Sequence, residues 1–409
     1  MSIPSCLLFI VALAYNFLSG QIASFIFVSI AFTLLTFRNK SGLKIYIKII
    51  WPLIFIFVIG TMGVKGYTVN DVVRDMLYAL SPIALIYLGH WIAVRGLDFK
   101  DLIKSIIFIG ILLALIHLSK FVFNPTLIGA DLTTVSSESY VSGDLVVLAL
   151  VLGLFQNRLG LGNLFPSFLP RYLALLFLFL SFVLSYSRTE FVVFCVLIFA
   201  ILGYLNRFNF GFVLVVASLA TITFIIASIG VDDRSLSFVA KLLRSITEIK
   251  ISDYQDYDDI SYNWRGFETY RVVVTYMSGS DLQKIVGQGF GSLVSLGFTM
   301  NLAGIDYDYI PVVHNGYGYV LLKTGLIGLI LYLIFYIKIF YIAVRYSNSN
   351  NTQKKYLALL LLGIGLSLTL TMYVIGGPAE AHNSEFVLLV GYLMRRLMTE
   401  RDMPSYNGP

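Results

Sequence analysis

Apolar runs of 9 to 23 residues recur twelve times along this chain: Leu7–Leu18, Ile22–Phe37, Ile45–Gly60, Met76–Val94, Leu102–Val122, Val141–Phe155, Tyr172–Leu184, Phe191–Leu205, Phe212–Ile229, Val320–Ile342, Leu357–Ile375 and Phe386–Met394. Backbone in hydrocarbon has no water to bond, so each run is expected to close its own hydrogen bonds as a helix. A bilayer core takes roughly 20 apolar residues per helix, and several of these runs are shorter. The pattern predicts an all-α polytopic membrane protein with about 12 transmembrane helices. Composition agrees: 58% of the 409 residues are hydrophobic and 13% are charged, against about a quarter charged in soluble proteins. The start of the chain lacks a basic region and a small-residue cleavage site, so Leu7–Leu18 reads as a retained span and not as a signal peptide. Cys6 and Cys195 lie in apolar runs and are expected to pack as small hydrophobes without a disulfide.

Orientation follows from Lys and Arg in the short connections. One alternate set holds sixteen, from Arg38 through Arg171 and Arg345 to Arg401; the other holds Lys65, Arg74, Lys120 and Arg188. This bias predicts both termini in the cytoplasm. The net charge of +6 is mostly this topological signal, and no nucleic-acid partner is expected.

About ninety residues separate Ile229 from Val320, where most other connections are near ten. Parity puts this segment outside the cytoplasm, and a loop of this length usually carries a site or a lid. Its first part, "VDDRSLSFVAKLLRSITEIK", has apolar residues at helical spacing and reads as an amphipathic surface helix. The expected organisation is helices one to nine in 1–229, the large loop with the chemistry in 230–319, helices ten to twelve in 320–397, and a cytoplasmic tail in 398–409.

Parity also collects the reactive residues on one membrane face: Arg188 in "SYSRTE", Arg265 and Arg271 in "YNWRGFETYR", His314 in "VVHNGYGY" and His382 in "PAEAHNSE". Arg188 sits in a hairpin too short for its side chain to escape far. It is either a snorkelling arginine, paired with Glu190, or an anion clamp whose planar fork matches phosphate oxygens. Arg265 is a solvated loop charge or a second clamp. Tyr262, Trp264 and Tyr270 beside it could stack on sugar faces, although interfacial aromatics are common in any membrane protein. His314 either bonds backbone at a helix start or accepts a proton from a hydroxyl near pH 7. Asn315 is a helix cap or a site group, and Gly316 and Gly318 let something approach the backbone closely. The later "KTGLIGL" has small residues at helical spacing, which suits close helix packing. "GQGFGS", with Gly289, lacks the surroundings of a nucleotide loop and reads as a tight turn near substrate. Asp253, Asp256, Asp258 and Asp259 could hold a hard cation, but such loop acidity more often solvates itself. No metal site is expected.

The tight "SRT" hairpin, the loop with Arg265, the "GxGFGS" turn and "HNGYGYVLLKTGLIGLILYL" together resemble the O-antigen polymerase/ligase superfamily of bacterial inner membranes. The resemblance covers the chain from about Tyr172 onward; the first half matches only in topology. It implies one large periplasmic loop with short helices, and a metal-independent, inverting glycosyl transfer without a cofactor. The donor it implies is a glycan on undecaprenyl pyrophosphate. Residues matching Arg188 and Arg265 would hold the pyrophosphate, with Arg271 a close alternative, and His314 would activate the acceptor hydroxyl. Asn315, Tyr317, Trp264, Gly289 and His382 are the further substrate-binding candidates. Expected partners are the lipid-linked glycan, membrane lipid, a chain-length regulator and a flippase. A polymerase is favoured over a ligase acting on lipid A-core. A transporter of lipid-linked oligosaccharides is the reading of another class. Nearly charge-free spans speak against it, since transporters carry ionisable residues at mid-membrane.

Overall fold

The computed structural model of the protein describes residues 3–36, 43–127, 143–165, 167–205, 248, 250–254, 256–302, 304–376 and 383–399. Eleven of the twelve expected runs fall on helices. These are α1 (Ile3–Phe17), α2 (Gly20–Thr36), α3 (Leu43–Met62), α4 (Val69–Val94), α5 (Phe99–Phe123), α6 (Gly143–Leu154), α7 (Phe168–Leu184) and α8 (Arg188–Leu202), then, after the long loop, α12 (Gly316–Ser347), α13 (Thr352–Ile375) and α14 (Ser384–Thr399). The run Phe212–Ile229 lies outside the described residues, as do most of the amphipathic stretch before Lys250 and the tail 400–409. Between α8 and α12 stand the short helices α9 (Tyr257–Tyr262), α10 (Trp264–Met277) and α11 (Asp281–Val286), and an antiparallel hairpin of β1 (Val294–Leu302) and β2 (Ile305–Ile310). The hairpin was not expected from the sequence. Helices α4, α5, α12 and α13 are long and apolar enough to cross a membrane; α2, α6, α7 and most of α3 are shorter apolar helices. The chain is a multi-pass membrane protein.

Two of the shorter runs sit inside the bundle. A helix apolar on every side belongs in an interior, and Leu145–Leu152 of α6 and Phe386–Met394 of α14 are buried without interruption. Helix α14 lies along α4. A Cβ on Gly89 would meet the Leu388 carbonyl oxygen at 1.8 Å, and one on Gly391 would meet that of Ile86 at 2.1 Å. Gly89→Val is therefore expected to destabilise the bundle by about 1–3 kcal/mol or more, read as a lower unfolding temperature of the purified protein in detergent. Both cysteines are free, but Cys6 is exposed on α1 and not packed inside.

Pro52 within α3 has no N–H, so the carbonyl of Lys48 loses its helical donor. The ammonium of Lys338 on α12 replaces it, lying 4.9 Å over the Trp51 ring. Helix α12 has its own interruption. Gly325 takes φ 66° and ψ −168°, a left-handed conformation open to glycine, and a Cβ there would meet the Ile285 carbonyl oxygen at 2.3 Å. The glycine of "KTGLIG" thus breaks the helix and admits the end of α11; it does not serve as a small residue within a continuous packing face.

Near the same end of the bundle lies a buried ionic cluster. Lys323 of α12 meets Asp75 of α4 at 2.7 Å, and Arg74 reaches Asp75 at 3.2 Å and Asp71 at 2.7 Å. The Tyr319 hydroxyl and the Gly291 N–H also donate to Asp75, at 2.9 and 2.8 Å. Asp75 and Lys323 are inaccessible to solvent, and a buried pair of this kind persists only when its remaining bonds are filled. The expectation of nearly charge-free spans is corrected here: both ions sit inside long helices, close to one end. They anchor the "GQGFGS" turn to α4 and α12.

Candidate functional site

The α7–α8 hairpin turns through Tyr186 at φ 46°, an uncommon conformation for a side chain of this size. Ser187 caps α8 by accepting the Glu190 N–H. The Glu190 carboxylate accepts from the Ser185 hydroxyl at 2.8 Å and sits against Gly143, where a Cβ would overlap it. Glu190 is thereby buried, and it is not the ion-pair partner of Arg188. That partner is Glu248, at 2.9 Å.

Arg265 reaches the same carboxylate, its Nε 3.9 Å from Glu248 Oε1. The segment ending in Lys250 crosses α10 at Gly266, where a Cβ would meet the Lys250 carbonyl oxygen at 2.0 Å. This crossing brings Glu248 beside Arg265. Both arginines occupy the first turn of a helix, α8 and α10. The helix dipole disfavours a cation there by about 0.3–1 kcal/mol, so each position is poor for a lone cation and good for an anion. Two guanidinium groups meet one carboxylate, which leaves this cluster with one positive charge in excess. Arg188, Arg265 and Glu248 line a cavity of about 180 Å³ with Thr189, Thr371 and Val374.

One turn along α10 from Arg265 comes Glu268, on the same helix face. It is 1% exposed and accepts the backbone N–H of His314 at 2.9 Å. Both of its oxygens lie 3.2 Å from His314 Nδ1. A carboxylate only accepts, so the ring proton belongs on Nδ1 and the lone pair on Nε2. The His314 side chain is 46% exposed. The Arg188–Glu248–Arg265 contacts and the Glu268–His314 contact thus meet on α10, three residues apart, although up to 126 residues separate their members in the chain.

The other candidates stand around these contacts. Asn315 caps α12, its side-chain oxygen accepting the Gly318 N–H, while its amide donates to Thr269 of α10. Gly316 and Gly318 admit protein neighbours, the Gly376 carbonyl and Val272. The Tyr317 hydroxyl donates to the Thr369 carbonyl of α13 at 2.8 Å, and half-buried Trp264 packs on Phe267. Arg271 lies apart from Arg265: its Nε donates to the Ser295 carbonyl at 2.9 Å. Gly297 bends β1 at φ 85° and leaves room for that guanidinium, where a Cβ would come within 2.4 Å. Gly289 packs on the backbone of Gly63 and donates to the Lys323 carbonyl at 3.0 Å, away from the arginine cavity. His382 lies outside the described residues. Among the described residues no group of three or more His, Cys, Asp or Glu could hold a metal ion.

Sequence reasoning missed Glu248 and Glu268. Glu268 carries a signal, three residues after Arg265 and so on its helix face. Glu248 carries none, because its partners belong to other elements. No curated protein matches this chain. The family model described as O-antigen ligase matches residues 173–333. This stretch supplies both arginines, both glutamates and His314, and over these residues the chain is similar to that family, consistent with the O-antigen polymerase/ligase superfamily.

Proposed function

We propose that this protein is a glycosyltransferase that polymerises undecaprenyl-pyrophosphate-linked oligosaccharide repeats of an O-antigen, capsule or exopolysaccharide. Members of the matching family transfer glycans, and the family implies lipid-linked glycan substrates. The observation that carries the reading is the arginine pair on one carboxylate, a single helical turn from the Glu268–His314 pair. The arginines hold the donor's pyrophosphate, which takes over from Glu248 as their anion. His314 Nε2 removes the acceptor hydroxyl proton as that oxygen attacks the anomeric carbon. The bond from this carbon to the phosphate oxygen breaks, and its electron pair leaves with the lipid pyrophosphate. Attack opposite the leaving group inverts the anomeric centre. Fixed guanidinium groups stabilise the departing charge without a metal.

The site works at the periplasmic face of the inner membrane with both termini in the cytoplasm; the sixteen-to-four bias of Lys and Arg supports this orientation. A flippase delivers the donor, and a chain-length regulator acts alongside. The second reading is a ligase that passes the glycan to lipid A-core, favoured by the description of the matching family. Purified protein given lipid-linked repeats should produce a ladder of longer lipid-linked chains. Transfer only to lipid A-core would make it the ligase. Formation of no glycosidic bond with either acceptor would leave a transporter and overturn the proposal.

A further inference from the structure

At the far end of α12 from His314, a second cavity opens between α3, α12 and α14. It measures about 370 Å³ and is lined by Lys48, Trp51, Lys338, Tyr341, Arg345 and Met394, among others. Residues 326–347 of α12 span about 33 Å, close to the thickness of a bilayer core. The cavity therefore belongs to the opposite membrane surface from the arginine pair. Three cations and no carboxylate line it, and among the described residues none of the three has an ion-pair partner.

Two of these cations are held in fixed settings. Lys338 lies nine residues, about 13 Å, before the end of α12, deeper than a loop lysine of the positive-inside pattern. One of its three ammonium protons goes to the Lys48 carbonyl that Pro52 leaves open, and the charge sits over Trp51. Two donors remain for a ligand. The Arg345 guanidinium lies 5.9 Å over the Tyr341 ring and donates to the Tyr341 hydroxyl at 3.3 Å. The Lys48 side chain is exposed.

The surroundings select the kind of anion. Ile47 on α3 and Ile337 and Val344 on α12, each next to a lining residue in sequence, are exposed apolar side chains of a lipid-facing surface. Met394 and Met398 of α14 add adaptable apolar wall. Cations above an apolar wall that meets lipid match an amphiphile with a charged phosphate and a greasy body. Basic pockets between helices at this level bind such headgroups.

We propose that this cavity holds the phosphate of an anionic phospholipid headgroup, gripped by Arg345, Lys48 and the free donors of Lys338, with its glycerol and upper acyl chains against the methionines. The site is separate from the glycan chemistry and does not depend on it.

The test is lipid retention by the purified full-length protein, read by native mass spectrometry from nanodiscs of phosphatidylcholine with phosphatidylglycerol. The wild type should retain phosphatidylglycerol in clear preference to phosphatidylcholine. The double substitution Lys48→Gln with Arg345→Gln should lower that preference roughly 25-fold, about five-fold per charge removed. Lys338 is left intact because it also completes α3. The wild-type preference alone tests the idea if the double variant does not fold. Equal retention of the two lipids by the wild type, or an unchanged preference in a folded double variant, would overturn the site. Competition by millimolar inorganic phosphate as effective as phosphatidylglycerol itself would overturn the lipid assignment in favour of a soluble anion.

Discussion

His314→Ala is expected to lower glycan transfer by about 10²–10⁴-fold, the usual contribution of a positioned general base. Protein level and unfolding temperature should change little, because nearly half of the side chain is exposed and the ring's one polar contact is to Glu268. The measure is the rate of glycosidic bond formation by purified protein at saturating donor. Glu268→Gln is the informative companion. The amide keeps the shape and an acceptor oxygen, but removes the charge that steadies the imidazolium as the proton arrives. Its loss should fall in kcat, at less than the cost of His314→Ala, with donor KM little changed. A His314→Ala enzyme of near-normal rate would remove the base from the mechanism.

Arg188→Ala is expected to cost roughly 10- to 150-fold in kcat/KM, the equivalent of about 1.5–3 kcal/mol for a charge-assisted hydrogen bond. The true cost will exceed this if both pyrophosphate oxygens rely on the fork. Arg188→Lys should fare little better, since an ammonium cannot bond two oxygens in one plane. Arg265→Ala should behave alike, and the double variant should lose less than the product of the two, because both guanidinium groups act on one anion. Arg271→Ala is the contrast: its guanidinium bonds the Ser295 carbonyl on β1, so it should lower stability before it lowers donor affinity. Chains of normal length made by Arg188→Ala protein would end the clamp idea for that residue.

The pairing found for Arg188 shows how local patterns can mislead. In sequence its nearest carboxylate is Glu190, two positions on, yet Glu190 turns inward to Ser185 and Gly143. On a helix, residues two apart do not face each other, so this pairing was the weaker geometric choice from the start. The same spacing rule separates Arg265 from Arg271. Six residues apart on α10, they project from different sides, one toward Glu248 and one toward β1. Asn315, open between cap and site group in the sequence, caps α12, and its amide also ties α12 to α10.

Helix positions were legible in the amino-acid order because burying backbone in apolar surroundings is a local requirement that each segment meets by itself. Residue type likewise determined which side chains could hold an anion or move a proton, and charge counting gave the expectation that Arg188, Arg265 and His314 share one membrane face. Only the tertiary structure decided that Glu248 is the carboxylate both arginines share, that Glu268 orients His314, and that Asp75 and Lys323 hold the glycine-rich turn. These are contacts between elements distant in the chain. Their geometry depends on how closely chain segments approach at Gly89, Gly266 and Gly325, and no local pattern encodes that distance.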